Sequence, residues 1–464
     1  MVGASALEIA RAVTAREISA REVIEQHLSH IAETNTRLNA ILTVPAEQAI
    51  EAAAELDRRL ERGESVGVLA GVPFSVKDLI ATAGVRTTAG SEALLGNVPD
   101  TDAPAVARMR AEGAILIGKT NTPEFGASGL THNEYFGNTV SPLAPEGIAL
   151  SPGGSSGGES ATIASGMSAA GLGTDFGGSV RWPAHCTGLC SVRPTAGRVA
   201  DDGQYPGVMT GSATVSGGVL TNPVTLHGAV QMIGPLARDL DDLTALLKVL
   251  SEPQFRWVDP ATVDVSALDV RWADGEGNVP VAEEIKATVA ALAARLQPAV
   301  GSIAPYSGQA LSQAEPLFSA MRARETQTDV TQYGPPAGFS GNTQAFLSAV
   351  RPVSTIELEA GWSQRTLLVD QFLSEIGDLL VMPVASIVAP GVDATEFPVG
   401  DQVLTWAQAL ASSRAISILG VPSVVVPVGT SASGLPIGVQ IVAKPFHEHE
   451  ALALAALCWR AVDI

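Results

Sequence analysis

Apolar residues in the first stretch of the chain recur at three- and four-residue intervals. Over 5–35 they are Leu7, Ile9 and Val13, then Ile18, Val23, Ile24, Leu28 and Ile31, the spacing of helices with one buried face. A second helical pattern covers 45–62, with Pro45 at its start and Gly63 just beyond its end, the expected punctuation of a helix. From there the texture alternates. The runs "GVPFSVKD", "AILIGKT", "GLGTD", "DLLVMPVA", "SVVVPVG" and "PIGVQIVA" predict strands, and "TDAPAVARMRAEG", "GGESATIASGMSAA" and "RDLDDLTALLKVL" predict helices. Short, wholly apolar strands interleaved with helices imply a sheet buried on both faces, an α/β architecture. No repeat or low-complexity linker divides the chain, so one large domain is expected. Two stretches resist assignment, the Gly/Ser-rich 201–228 and the irregular 300–345. Loops of this length tend to be lids or disordered segments, and 201–228 is read as a mobile lid over a substrate mouth.

Composition narrows the partners. A net charge of −20 argues against a nucleic-acid partner, which requires a basic footprint, and against an anionic membrane surface. Three cysteines, Cys186, Cys190 and Cys458, are too few for a disulfide framework and fit a reducing compartment. Cys186 and Cys190 with His185 could hold a metal, but small buried thiols are the preferred reading and no metal is expected. The start, "MVGASALEIARAV", lacks the layout of a signal peptide, and no apolar run reaches the roughly 18 residues of a membrane span. A cytoplasmic location is expected.

The chemistry concentrates in "SPGGSSGGES", residues 151–160. A flexible linker would join autonomous units, whereas this loop runs straight into a small-residue helix. Gly153 to Gly157 also satisfies G-x-S-x-G, the elbow of a Ser-His-acid hydrolase, which needs a later histidine from among His185, His227, His447 and His449. Nearby "GAILIGKT", Gly113 to Thr120, matches a phosphate-binding loop, but its variable residues read as the strand itself. A third reading uses the second cluster, "GTDFGGSVRWPA". A helix over 159–170 of about 18 Å followed by a strand over 171–175 of about 17–20 Å would return the chain to one sheet edge. Ser155 and Ser179 would meet there, where α/β folds place ligands. Lys77 ends the strand "GVPFSVK" and joins them if that strand is parallel. A buried ammonium loses basicity and can serve a serine as base. Against this stands the ordinary exposed strand-end lysine, and the residues alone leave these readings open.

The set of motifs resembles the amidase signature enzymes. "GVPFSVKD", "SPGGSSGGES" and "GLGTDFGGSVRWPA" look like the three blocks of that signature, in order. "GKTNTPEFG", the N-terminal helices, "GPLARDLDDLTALL" and "GVPSVVVPVGTSASGLPIGVQIVAKPF" are similar to flanking family segments. The resemblance implies a single α/β/α domain over 1–464, with a twisted mixed central sheet covered by helices on both faces. Residues 1–65 would supply N-terminal helices, 66–250 the catalytic core, and 251–464 the substrate-shaping and closing segment. It further implies a triad of nucleophile Ser179, bridging Ser155 behind a cis peptide bond, and base Lys77. An oxyanion hole of the amides of Phe176, Gly177, Gly178 and Ser179 is implied too. Ser156, Asp175 and Arg181 would be supports, with Asp175 and Arg181 forming a buried pair. The implied activity is cofactor-free hydrolysis of C–N bonds in small-molecule amides, anilides or carbamates, with esters as a further class. The alternative is the amidase component of a glutamine-dependent amidotransferase, which needs partner subunits. Assembly into a homo-oligomer is left open. Departures from the family pattern include Arg193 in "SVRPT" and a lengthened stretch between Gly197 and Gly234.

Overall fold

Every apolar run named above becomes a strand in the computed structural model, which describes residues 1–206, 214–216, 219–221, 226–323, 329–349 and 354–460. Among them one sheet holds β1 (Ile41–Thr43), β2 (Pro73–Lys77), β3 (Ile115–Thr120), β4 (Ala170–Asp175), β5 (Cys190–Arg193), β6 (Met232–Ala237), β7 (Asp269–Trp272), β8 (Ser302–Pro305), β9 (Leu379–Pro383), β10 (Ser423–Thr430) and β11 (Pro436–Ala443). Their order is β1-β3-β2-β4-β6-β5-β10-β11-β9-β7-β8. The sheet is mixed, with β3, β2 and β4 mutually parallel and β4 antiparallel to β6. Helices flank it, and its central strands are buried along their whole length, which is why they read as continuous apolar runs.

The helical pattern over 5–35 forms two helices, Ala6–Thr14 and Ala20–Leu38, each opened by a capping box, Ser5 with Glu8 and Ser19 with Glu22. Between them Arg16 takes φ 59° and breaks the run. The helix predicted over 159–170 is shorter, Gly157–Ala164, because Ser165 and Gly166 turn the chain before β4. The irregular 300–345 contains β8 and the helix Ala310–Ala323, whose interior Pro316 conceals its periodicity. Of the lid expected over 201–228, residues 207–213, 217–218 and 222–225 lie outside the described residues, and Thr214–Ser216 pairs antiparallel with Val219–Thr221. No helix among the described residues is long and apolar enough to cross a membrane.

This topology positions the site. In β2, Phe74 and Val76 enter the main apolar core, so strand alternation turns Ser75 and Lys77 to the other face. Because β2 and β4 run parallel, Lys77 and Asp175 end at the same sheet edge. The helix Gly157–Ala164 packs back along these strands and starts at that edge as well.

Candidate active site

Lys77 is fully buried, and its Nζ donates to three hydroxyls: Ser155 Oγ at 2.6 Å, Ser156 Oγ at 2.9 Å and Thr174 Oγ1 at 2.9 Å. Among the described residues no carboxylate forms an ion pair with it. Burial pushes its basicity well below the ordinary lysine range, against the opposing charges of Asp175 and Glu159. The result is a buried amine of lowered basicity, surrounded by hydroxyl oxygens. Ser155 follows a cis Gly154–Ser155 peptide bond, the bond implied by the resemblance. Gly154 must lack a side chain, since a Cβ there would sit 2.7 Å from the Leu130 carbonyl carbon. Ser156 ties the two loops together: its N–H donates to Ser179 O at 3.3 Å and its Oγ accepts from Thr174 N at 3.3 Å.

Asp175 organises the second glycine loop. It accepts from Gly178 N at 2.8 Å and Val180 N at 3.1 Å, and from Arg181 Nε at 3.0 Å and Nη2 at 2.9 Å. Burial alone would raise this carboxyl, but the charge and hydrogen bonds of Arg181, with Arg193 at 3.7 Å, hold it well below the usual range. The buried Asp175–Arg181 pair is therefore present. One expectation needs correction. The Gly178 amide is consumed by Asp175 and cannot also face an oxyanion. Among the described residues no hydrogen bond takes the amides of Phe176, Gly177 or Ser179. Arg193, noted as a departure, is also fully buried and donates to the carbonyls of Val421 at 3.0 Å and Val230 at 2.9 Å.

Ser155 and Ser179 line one cleft of about 580 Å³, counted with its open mouth. Thr174, Phe176, His227 and Arg322 line it too, as do Tyr205 and Pro206 from the described start of the expected lid. The histidines fit an elbow triad poorly. His185 bonds through its ring to the backbone of Gly438 and Ile387, and His447 and His449 lie away from the cleft wall, around the start of the last helix. His227 stacks on Phe176 at 5.5 Å, but burial lowers it to about 4, too weak a base. The three cysteines are free and buried, and burial pushes their thiols up. The phosphate-loop match is overturned as well: Lys119 is buried, donating to Ile80 O at 2.6 Å and Thr87 Oγ1 at 2.8 Å and facing Asp78 at 3.6 Å.

Two residues escaped the sequence reading. Thr174 is the third acceptor of the lysine. Glu159 is fully buried and accepts from Ser75 Oγ and, at 2.8 Å, from Thr120 Oγ1. Its carboxyl thus clamps β2 and β3 one layer beneath Lys77, in space that a side chain at Gly171 of β4 would fill. A lone charge in a helix with no polar face, "GGESATIA", was the available signal, since such a charge must be buried with partners. Burial raises Glu159 to about 8 against the hydrogen bonds of Ser75 and Thr120. A carboxyl raised from 4.5 to about 8 supports the fold below its unfolded value and loses that support as pH climbs. Wild type is therefore expected to lose stability relative to Glu159→Gln between about pH 6 and about pH 8, read from denaturant midpoints at the two pH values. Parallel curves would show that Glu159 is already ionised.

A sheet edge carrying a buried amine, two serines and a glycine-rich loop defines the class: a serine-type amidase. The family model described as Amidase matches residues 22–331 and 354–452. The chain belongs to the amidase signature family. It is similar to the A subunit of the glutamyl-tRNA(Gln) amidotransferase of Synechococcus sp. (strain CC9605), at 30% identity over 95% of this chain and 92% of that one. Among solved structures it is similar to 6-aminohexanoate cyclic dimer hydrolase with substrate, with a TM-score of 0.82, 27% identity, and coverage of 99% and 97%. A bacterial aryl acylamidase gives a TM-score of 0.82 at 26% identity, with coverage of 99% and 96%.

Proposed function

We propose that the chain hydrolyses C–N bonds of small amides, anilides or carbamates through an ester intermediate on Ser179. The carrying observation is the buried Lys77 amine, which has three hydroxyl partners and no carboxylate in contact among the described residues. Neutral Lys77 accepts the Ser155 proton as Ser155 accepts that of Ser179, and Ser179 Oγ bonds to the substrate carbonyl carbon. The amides of Phe176, Gly177 and Ser179 support this reading as donors to the developing oxyanion, each such donor contributing about 3–4 kcal/mol. Collapse breaks the C–N bond, and the proton on Lys77 returns through Ser155 to the leaving amine. Water, deprotonated by the same chain, then cleaves the acyl- or carbamoyl-Ser179.

The test pairs turnover of p-nitroanilides, primary amides, carbamates and esters with mass spectrometry of acid-quenched enzyme. An acyl or carbamoyl mass on the peptide bearing Ser179 is expected. Turnover without that adduct, and unaltered in Ser179→Ala, would overturn the assignment. The similarity to the amidotransferase component supports a second reading, a glutamine-hydrolysing subunit that works only with partners. Full turnover of a small amide by the isolated chain argues against it.

A further inference from the structure

The last helix, Glu448–Arg460, begins in the run "HEHE", residues 447–450. Phe446 takes φ 66° and turns the chain so that His447 caps the helix, its carbonyl accepting from Glu450 N at 3.0 Å. Of the two carboxylates in the run, Glu448 is already engaged. It is buried, accepts from Thr195 N at 2.8 Å and faces Arg198 Nε at 2.8 Å. His447, His449 and Glu450 turn toward one another instead. Each offers one ligand atom within 4.8 Å of those of the other two, and the two imidazole rings stack at 5.4 Å.

One observation separates this cluster from an ordinary polar surface. His447 Nδ1 and Glu450 Oε1 stand 3.0 Å apart. Yet among the described residues Nδ1 has no hydrogen bond, nor has the other carboxylate oxygen, Glu450 Oε2, and both atoms are shielded from solvent. A nitrogen and a carboxylate brought together in this way, without a hydrogen bond, would be satisfied by a cation between them.

We infer that His447, His449 and Glu450 bind one divalent cation of the zinc class, Zn²⁺ foremost, which clamps the start of the last helix. Two imidazoles and a carboxylate are the donors of a three-ligand zinc site, whose fourth position is left to water. Imidazole favours Zn²⁺, Cu²⁺ and Ni²⁺, whereas Mg²⁺ and Ca²⁺ demand oxygen ligands. Glu448 is offset by Arg198, so Glu450 supplies the charge that draws the ion in. The partial positive charge of the helix start opposes a cation, but that effect is small beside coordination by three ligands. None of the three residues lines the active-site cleft, so the ion serves structure and not the hydrolytic step. The helix inserts Leu452, Leu454 and Cys458 into the main apolar core, and its first turn holds the loop after β5 through Glu448. An ion at that turn fastens the closing segment of the chain. The site uses none of Cys186, Cys190 and His185, and it stands independently of the proposed reaction.

Full-length protein stripped with EDTA and dialysed against Zn²⁺ is expected to retain one Zn²⁺ per chain by atomic absorption. Its melting temperature should rise with Zn²⁺ and not with Mg²⁺ or Ca²⁺. His449→Ala and Glu450→Gln should each weaken Zn²⁺ binding about tenfold or more, since losing a ligand costs at least as much as losing a group that orients one. The competing account is a capping contact between His447 and Glu450 at a solvated helix start. It predicts that His447→Ala lowers the melting temperature equally with and without Zn²⁺. That result overturns the inference, and so does Zn²⁺ bound as tightly by His449→Ala as by wild type. Displacement of the Zn²⁺ by equimolar Ca²⁺ overturns it as well, because the ion would then belong to the acidic surface at large. The His449 ring is only partly buried, so His449→Ala keeps the test open if His447→Ala does not fold, as circular dichroism would show.

Discussion

Replacing Lys77 with methionine is expected to lower kcat/KM for a small amide by about 10⁴-fold or more, the loss found when one member of a catalytic triad is removed. Methionine keeps much of the volume but has no proton acceptor, so neither Ser155 nor Ser179 can be deprotonated at its turn. The fold should survive, because no ion pair among the described residues is broken: there Lys77 donates to the hydroxyls of Ser155, Ser156 and Thr174. Circular dichroism and a denaturant midpoint close to wild type would establish that. Wild-type activity should rise with pH as the amine deprotonates and level off well below the usual lysine value of 10.5, since burial lowers it. The residual activity of Lys77→Met should lack that limb. A variant that is folded and within about tenfold of wild type would remove Lys77 from the mechanism.

The largest effect on stability is expected at Asp175. Asp175→Ala would leave Arg181 and Arg193, both fully buried, without their shared carboxylate, and breaking a buried pair in this way costs about 3–5 kcal/mol. It would also release the amides of Gly178 and Val180 and so loosen the loop that presents Ser179. Activity should therefore fall even under conditions where the variant stays folded. The pH dependence has the opposite sign to that of Glu159. Asp175 is lowered in the fold, so its contribution is present above its unfolded value of 3.8 and is lost as acid takes pH down through the folded value. Asp175→Asn keeps the size but not the charge, and should show a shallower loss of stability on acidification than wild type. Equal midpoints for wild type and Asp175→Ala by denaturant titration would refute the account.

What could be read from the linear chain followed from local rules. The strands announced themselves because a strand buried on both faces is mostly apolar, its few polar residues such as Lys77 and Asp175 gathering toward the end that carries the site, and the three signature blocks hold their glycines and serines contiguously. The Asp175–Arg181 pair was legible because its members stand six residues apart on one loop. Other features depend on residues far apart in sequence. Thr174 joins Ser155 and Ser156 around the amine only because β2 and β4 are parallel neighbours. Glu159 needs Ser75, Thr120 and the empty space at Gly171, drawn from three strands. The Gly178 amide looked available until Asp175 was seen to hold it. Arg322 comes from a helix whose periodicity Pro316 obscures, and reaches the cleft through packing alone. Sequence by itself determined the element types and the chemical groups on offer, since these depend on side-chain polarity and nearest neighbours. Tertiary structure decided which groups are desolvated together, because burial and proximity are set by how the strands are ordered, and that decides which amine is held below its ordinary basicity and which amide is spoken for.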